Sequence, residues 1–212
     1  MPWLAEAEGA VGICAALAAC VPEWRRAHIH HSIEALARQR VVGVACGDED
    51  QNDADTLRTD PLLTLVCGRR PESARDVARQ PTLSRRENAV DRPACLRLAH
   101  ALVAVYLRQR QRERDGAPLP IVLDIDSTDD PTHGHQDGSA DHAYDGQHMD
   151  HPLLIFDGQT DQLITALLRP GTAHASRGVL RVRRVRVPVL HARWPGVTIA
   201  LRSASGGAVP AL

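Results

Sequence analysis

The fold of this 212-residue chain is decided by the stretch Ile121-Val122-Leu123-Asp124-Ile125-Asp126-Ser127-Thr128-Asp129-Asp130. Ile121, Leu123 and Ile125 alternate with Val122, Asp124 and Asp126. This period of two predicts a strand with one buried face. Asp124 and Asp126 would then project from the same face, about 6.6–7 Å apart. Two such carboxylates repel each other unless a cation lies beside them, and Mg²⁺ is the usual cation. The alternative interpretation is a strand end that is simply exposed to solvent.

The remaining sequence predicts helices before this strand and a mixed pattern after it. Residues 1–115 are mostly helical by their apolar spacing, with helices near 29–41 and 94–112. Within this region, Ser84 and Glu87 have the spacing of a capping box. Strands are predicted over 153–157, 162–168 and 198–201, with a helix over about 174–191. The predicted fold class is therefore α/β from residue 116 to residue 212, preceded by a helical region over residues 1–115.

Composition excludes several classes of protein. With 43 % hydrophobic and 24 % charged residues, the chain is neither disordered nor collagenous. The net charge of −1 conceals a separation of sign, because no basic residue lies between Asp115 and Leu168 and no acidic residue follows Asp161. The separation indicates a cation-holding site beside a surface that meets phosphate, or two solvated faces of opposite charge.

Cysteine usage and hydropathy bear on the compartment. The five cysteines are odd in number and form no C-x-x-C pair, which predicts reduced thiols in a cytosol. The apolar run 10–21 is too short to span a bilayer, and it follows Glu6 and Glu8 rather than basic residues. We therefore expect a cytoplasmic protein without a membrane segment or a signal peptide.

A histidine-rich run suggests a second kind of metal site. Its members are His133, His135, His142, His148 and His151, with aspartates between them. His133 and His135 would share one face of a strand, but their spacing matches no closed tetrahedral zinc site. A zinc-binding module therefore remains an alternative hypothesis for this segment.

Several blocks of the sequence resemble a family of bacterial insertion-sequence transposases, the DDE-type enzymes of group 1. The most specific block is Leu123-Asp124-Ile125-Asp126-Ser127-Thr128-Asp129-Asp130-Pro131-Thr132-His133-Gly134-His135-Gln136. Others, in the same order as in the family, are Ala45-Cys46-Gly47, Asn52-Asp53-Ala54-Asp55, Gln80-Pro81-Thr82-Leu83-Ser84-Arg85, His151-Pro152-Leu153-Leu154, Leu168-Arg169-Pro170-Gly171 and Ala192-Arg193-Trp194-Pro195. The resemblance covers about residues 24–210.

The resemblance implies a ribonuclease-H-like catalytic domain beginning near residue 116 and a DNA-binding helical region before it. Enzymes of this kind cleave and transfer DNA strands with two Mg²⁺ or Mn²⁺ ions held by three carboxylates. Asp126 matches the first of these carboxylates and would be both catalytic and a metal ligand, with Asp124 at most supporting it. The implied partner is the DNA of the transposon ends. Intact relatives would act as at least a dimer.

The sequence departs from the family at the other two carboxylates. The family pattern R-x-D-S-G-F corresponds here to Arg202-Ser203-Ala204-Ser205-Gly206-Gly207, so that Ala204 stands in the aspartate position. The third carboxylate, a glutamate, is expected beyond Leu212. We therefore hypothesise a truncated, catalytically inactive copy whose fold is incomplete at its C-terminus. The alternative hypothesis is a non-catalytic DNA-binding regulator that competes with intact transposase, with the arginine-rich run 177–186 as a candidate DNA contact or a solvated helix face.

Aromatic residues make up only 3 % of the chain. Asp48, Asp141 and Asp150 occupy positions where the family resemblance leads us to expect tyrosine. Burying an unpaired carboxylate costs several kcal/mol or raises its pKa. The sequence therefore predicts a destabilised fold if these residues are buried, and no effect if they are exposed.

Overall fold

A computed structural model of the protein describes residues 2–23, 25, 29–48, 50–70, 72, 76–112, 120–132, 139–142, 146–174 and 176–203. The chain forms two compact units, Met1–Ala101 and Leu102–Leu212. The predicted division after residue 115, between a DNA-binding region and a catalytic region, stays a prediction.

The first unit is built from helices, as the apolar spacing predicted. They are α1 (Pro2–Val11), α2 (Ile13–Ala18), α3 (Ile33–Ala45), α4 (Ala54–Leu57), α5 (Pro61–Val66), α6 (Gln80–Glu87) and the first half of α7 (Arg92–Arg112), with a 3₁₀ turn at Gln51–Asp53. Local signals set where two of them begin. The Ser32 Oγ accepts a hydrogen bond from the Ala35 amide at the start of α3, and Asp60 does the same for Leu63 at the start of α5.

The predicted capping box at Ser84 and Glu87 is wrong. Helix α6 begins at Gln80, so Ser84 lies within the helix and caps nothing at its N-terminus. Pro81 lies in the first turn, where its missing N–H costs no helical hydrogen bond. The proline is therefore the stronger start signal in this segment.

A buried glutamine joins two segments of the first unit. The Gln39 side chain donates to the Ala78 carbonyl and accepts from the Ala78 amide, both at 2.8 Å. Gln39 is 5 % exposed and Ala78 is fully buried. The side-chain amide of Gln39 therefore satisfies the backbone N–H and C=O groups of Ala78, which lies outside any strand. Ala78 also packs with Leu36 and Leu83 in one hydrophobic cluster.

The second unit contains two sheets and one long helix after α7. In chain order the elements are β1 (Ile121–Ser127), β2 (Asp130–Pro131), β3 (Ala140–His142), β4 (Gln147–Asp150), β5 (Leu153–Asp157), β6 (Gln162–Leu167), α8 (Val179–Arg193) and β7 (Ile199–Ser203). The larger sheet has the order β6-β5-β1-β7, in which only β7 is parallel to β1. The smaller sheet has the order β2-β4-β3. The predicted strands of the larger sheet are confirmed, whereas the short strands of the smaller sheet were not predicted.

One face of the larger sheet forms the core of the second unit. Ile121, Leu123 and Ile125 of β1 are at most 3 % exposed, and they pack with apolar side chains of α7, β5, β6 and α8. The alternating residues Val122, Asp124 and Asp126 lie on the other face and are partly or fully exposed. The predicted period of two is therefore confirmed, and it places both carboxylates on the same face of the sheet.

A buried carboxylate fastens helix α7 to the end of β5. Asp157 is 0 % exposed, and its Oδ2 accepts a hydrogen bond from the Tyr106 hydroxyl at 2.8 Å. Nη2 of Arg110 lies 2.9 Å from the same oxygen, and the Arg110 side chain is 2 % exposed. Burial raises the pKa of Tyr106, so the phenol stays protonated and donates. The other carboxylate oxygen accepts from the Gln159 amide in the following turn.

The cluster yields a stability prediction. Arg110→Met should lower the free energy of unfolding by about 3–5 kcal/mol, because it leaves the Asp157 carboxylate buried without its cation. The control Arg108→Met, on an exposed position of the same helix, should change it by less than about 0.5 kcal/mol. Urea unfolding followed by circular dichroism measures both, and equal effects would contradict the assigned role of Arg110.

Candidate active site

The proposed catalytic carboxylate lies near the end of the central strand. Asp126 is exposed on the outer face of β1, and its Oδ1 accepts a hydrogen bond from the Ser127 amide at 2.9 Å. The rest of the carboxylate faces solvent. Position and exposure are therefore compatible with a metal ligand, but Asp126 contributes only one carboxylate to such a site.

The second carboxylate on this face is held by an arginine of the neighbouring strand. The parallel register places Arg202 of β7 opposite Asp124. Arg202 donates from Nε at 3.1 Å and from Nη2 at 2.5 Å to the two oxygens of Asp124. This bidentate contact holds the pKa of Asp124 below its ordinary value. The sequence places Arg202 in the basic C-terminal region and at the start of the family pattern, but it does not predict this ion pair.

Strands β1 and β7 end side by side. Ser203, the last residue of β7, is opposite Ile125 of β1. In the sequence Asp126 follows Ile125, and Ala204 follows Ser203. Ala204 itself lies outside the described residues.

The described residues do not fit a site for two divalent ions. The guanidinium of Arg202 is already paired with Asp124, and Asp126 supplies one carboxylate. No group of three or more His, Cys, Asp or Glu side chains in the described parts of the chain is placed to hold a metal. An alanine side chain at position 204 offers no donor atom either. The chemistry of the donor set therefore disagrees with the family's usual metal.

The histidine-rich run is divided among separate contacts. His133 and His135, and the side chain of His142, lie outside the described residues. His148 is exposed and contacts Asp141 through Nδ1 at 3.0 Å and Ser139 through Nε2 at 2.8 Å. His151 is buried, and its Nδ1 donates to the Ala173 carbonyl at 3.0 Å. The two described histidine rings thus have different surroundings, and the zinc hypothesis gains no support from them.

The block around Arg169 has a structural role. Arg169 is 7 % exposed, and its guanidinium donates to the backbone carbonyls of His151, His174 and Arg177 at 2.8, 3.2 and 2.7 Å. Gly171 lies so close to the smaller sheet that a Cβ would stand 2.4 Å from the Ala140 carbonyl oxygen. These residues therefore hold backbone segments together, and a side chain at position 171 would displace a strand.

The three aspartates expected at tyrosine positions differ in burial. Asp141 has an exposed side chain, Asp48 is half-buried, and Asp150 is 8 % exposed. Asp150 stands directly opposite Asp130 in the β2–β4 pair. Burial and the charge of Asp130 raise the pKa of Asp150. The free-energy cost expected for burying a carboxylate therefore applies to Asp150 but not to Asp141.

Comparison with known proteins identifies one family. A family model described as transposase DDE domain group 1 matches residues 3–212. No curated protein and no solved structure matches the chain. Among the described residues, every helix is too short or too polar to span a membrane.

The environment of Asp150 generates a pH-dependent prediction. Because its folded pKa is raised, the ionised carboxylate costs stability at neutral pH, and this cost disappears as the pH falls below about 3.9, the ordinary value for aspartate. Asp150→Asn should therefore raise the free energy of unfolding by roughly 1 kcal/mol at pH 7 and leave it unchanged near pH 4. Thermal melting across this range tests it. Asp141→Asn is the exposed control, and a gain from Asp150→Asn that did not shrink at low pH would contradict the assignment.

Proposed function

Because the chain belongs to the transposase DDE domain family, we propose that it is an insertion-sequence transposase that binds DNA but no longer cleaves it. The observation that carries this proposal is the alanine that follows Ser203, at the position where the family pattern has an aspartate. The neighbouring carboxylate of Asp124 offers no replacement, because it is paired with Arg202. A transposase of this kind would meet its DNA in the bacterial cytoplasm.

The sheet supports a ribonuclease-H-like core for residues 116–212 as part of the same proposal. A strand that carries the first carboxylate lies at the centre, and a parallel strand, reached through helix α8, ends beside it. Two carboxylates can share metal ions only if their strands end together, and the register of β1 and β7 provides such a pair of ends. In this core the position of Asp126 is retained, and the ligand that would follow β7 is replaced.

The activity test uses the full chain with duplex DNA that flanks its coding sequence. We expect no strand nicking above the buffer background with Mg²⁺ or Mn²⁺, because one carboxylate cannot hold two ions. Denaturing gels of end-labelled DNA measure the products, with an intact family member as the positive control. Metal-dependent cleavage that disappears in Asp126→Asn would overturn the proposed inactivity.

A matched pair of variants tests the proposed lost ligand. Ala204→Asp should bind Mn²⁺ at least about tenfold more tightly than Ala204→Asn, because it adds a charged oxygen donor to Asp126. Isothermal titration or Mn²⁺ electron paramagnetic resonance measures the affinity. Adding Asp126→Asn to Ala204→Asp should remove the gain. Equal Mn²⁺ affinities for the two single variants would show that position 204 is not part of a shared site.

A second candidate function is regulation of intact transposase by competition for the same DNA. Helix α8 favours it, because Arg181, Arg183, Arg184 and Arg193 are exposed on it. No acidic residue follows Asp161 in the sequence, so the C-terminal part of the chain offers these cations no local carboxylate. A row of such cations would contact phosphates without reading sequence. Arg186 is not part of this surface, since it is only 4 % exposed.

The arginine surface of α8 predicts a change in salt dependence. Arg181→Gln with Arg184→Gln should reduce the slope of log affinity against log salt by about 1.8, since each lost phosphate contact removes about 0.9. Fluorescence anisotropy with flanking DNA measures the slope. Arg108→Gln, on α7, serves as a control for general charge. An unchanged slope in the double variant would show that the arginines of α8 form a solvated face and do not contact DNA phosphates. Inhibition of an intact relative by the wild-type chain, weakened in the double variant, would support the regulatory role.

A further inference from the structure

We propose that a cavity in the first unit, lined by Ile29, His30, His31, Arg69 and Asp76, is a phosphate-binding site. Its identification as a site for DNA phosphate, rather than for free phosphate, rests on the proposed function. The cavity has a volume of about 370 Å³ and opens to solvent, which gives room for a tetrahedral oxyanion. The carboxylates of β1 are not among its lining residues.

The placement of Arg69 follows from the end of helix α5. The Gly68 amide donates to the Leu65 carbonyl and the Arg69 amide to the Thr64 carbonyl, which is the pattern of a Schellman motif. Gly68 has a φ of +76°, a conformation in which a side chain would be strained. The turn therefore fixes the backbone from which the guanidinium of Arg69 reaches the cavity.

Arg69 makes hydrogen bonds only to neutral acceptors in the described part of the chain. Its Nη1 donates to the Asp76 carbonyl oxygen at 2.7 Å, and its Nη2 contacts the His30 carbonyl at 3.2 Å and Nδ1 of His31 at 2.8 Å. These contacts orient the guanidinium without neutralising its charge. The Nε–H and one Nη1–H take no part in these contacts, and they are available to an oxyanion.

Asp76 is the carboxylate among the described lining residues, and it is already paired. Oδ2 of Asp76 lies 2.8 Å from Nη1 of Arg58. The two positive charges of Arg58 and Arg69 are therefore balanced by one negative charge, that of Asp76. The excess positive charge at this cavity favours an anionic ligand.

His31 adds a neutral donor to the positive charge. Burial, together with the charges of Arg69, His30 and Arg25, lowers the pKa of His31 to about 4. Its Nδ1 accepts from a guanidinium, which has no acceptor atom, so the ring hydrogen resides on Nε2. An N–H donor beside an oriented guanidinium is the combination that binds a phosphate oxygen well.

The principal test changes the charge at the rim of the cavity without touching the contacts of Arg69. Ile29 is 49 % exposed, so Ile29→Glu and Ile29→Gln should both fold, and they differ only by a carboxylate. Inorganic phosphate is titrated into the full chain at constant ionic strength and followed by calorimetry and by the His31 ring signals. We expect phosphate to bind about fivefold more weakly to Ile29→Glu than to Ile29→Gln, because the new carboxylate repels it. Equal affinities, or no binding by the wild-type chain, would overturn the proposal.

Variants of the arginine test its direct role. Arg69→Gln should abolish phosphate binding, and Arg69→Lys should retain part of it, since the lysine keeps the charge but not the fork of donors. Arg85→Gln, an exposed arginine of the same unit, should leave the phosphate affinity unchanged. Thermal melting shows whether each variant folds. If a folded Arg69→Gln variant bound phosphate as well as the wild type does, the proposal would be wrong.

Titration with duplex DNA separates this inference from the proposed function. If the DNA affinity also differs between Ile29→Glu and Ile29→Gln, the bound phosphate belongs to DNA. If phosphate binding differs but DNA does not bind at all, the cavity remains a phosphate site and the proposed function fails. If DNA binds equally to both variants and phosphate binds to neither, the function stands and this cavity is not its contact.

Discussion

The buried carboxylate of Asp157 is the constraint on which the second unit depends. An aspartate that is 0 % exposed must be paired, and both of its side-chain partners come from helix α7. The end of β5 can therefore be buried only when the last turns of α7 pack against it. The ring of Tyr106 also meets the edge of Trp194, with centroids 6.5 Å apart and planes at 84°, so the same cluster reaches the end of α8. In a chain with only 3 % aromatic residues, two of them are used at this point.

The burial of one face of the larger sheet decides which residues lie on its outer face. Once Ile121, Leu123 and Ile125 are buried, the pleat leaves Asp124 and Asp126 no place except the opposite face. The parallel register with β7 then decides which residue stands beside Asp124, and that residue is Arg202. A carboxylate that holds a guanidinium in two hydrogen bonds is not free to hold a metal ion. The parallel register therefore fixes this ion pair on the outer face of the sheet.

The sequence predicted the parts of the fold that have a strong local period. The alternation in 121–127 and the apolar spacing of α7 were sufficient, because each side chain's burial follows from its own position. The small sheet of β2, β3 and β4 was missed because its strands have two to four residues and no alternating pattern. Helix α6 was missed because it has one buried residue, Leu83, within a polar segment. For the site, Asp126 could be found from its motif, whereas the Asp124–Arg202 pair depends on a register between residues 78 positions apart.

The family blocks divide into those that hold the backbone and those that would hold metal. Arg169 still donates to three backbone carbonyls, and Gly171 still leaves the space that the smaller sheet requires. The position after Ser203, by contrast, is an alanine, and we propose that an oxygen ligand has been lost there. A change at Arg169 or Gly171 would disturb several backbone segments at once, whereas the proposed replacement at position 204 would affect a single side chain. Loss of catalysis is therefore compatible with a retained fold. A retained fold with exposed arginines on helix α8 agrees with the proposed DNA binding without cleavage.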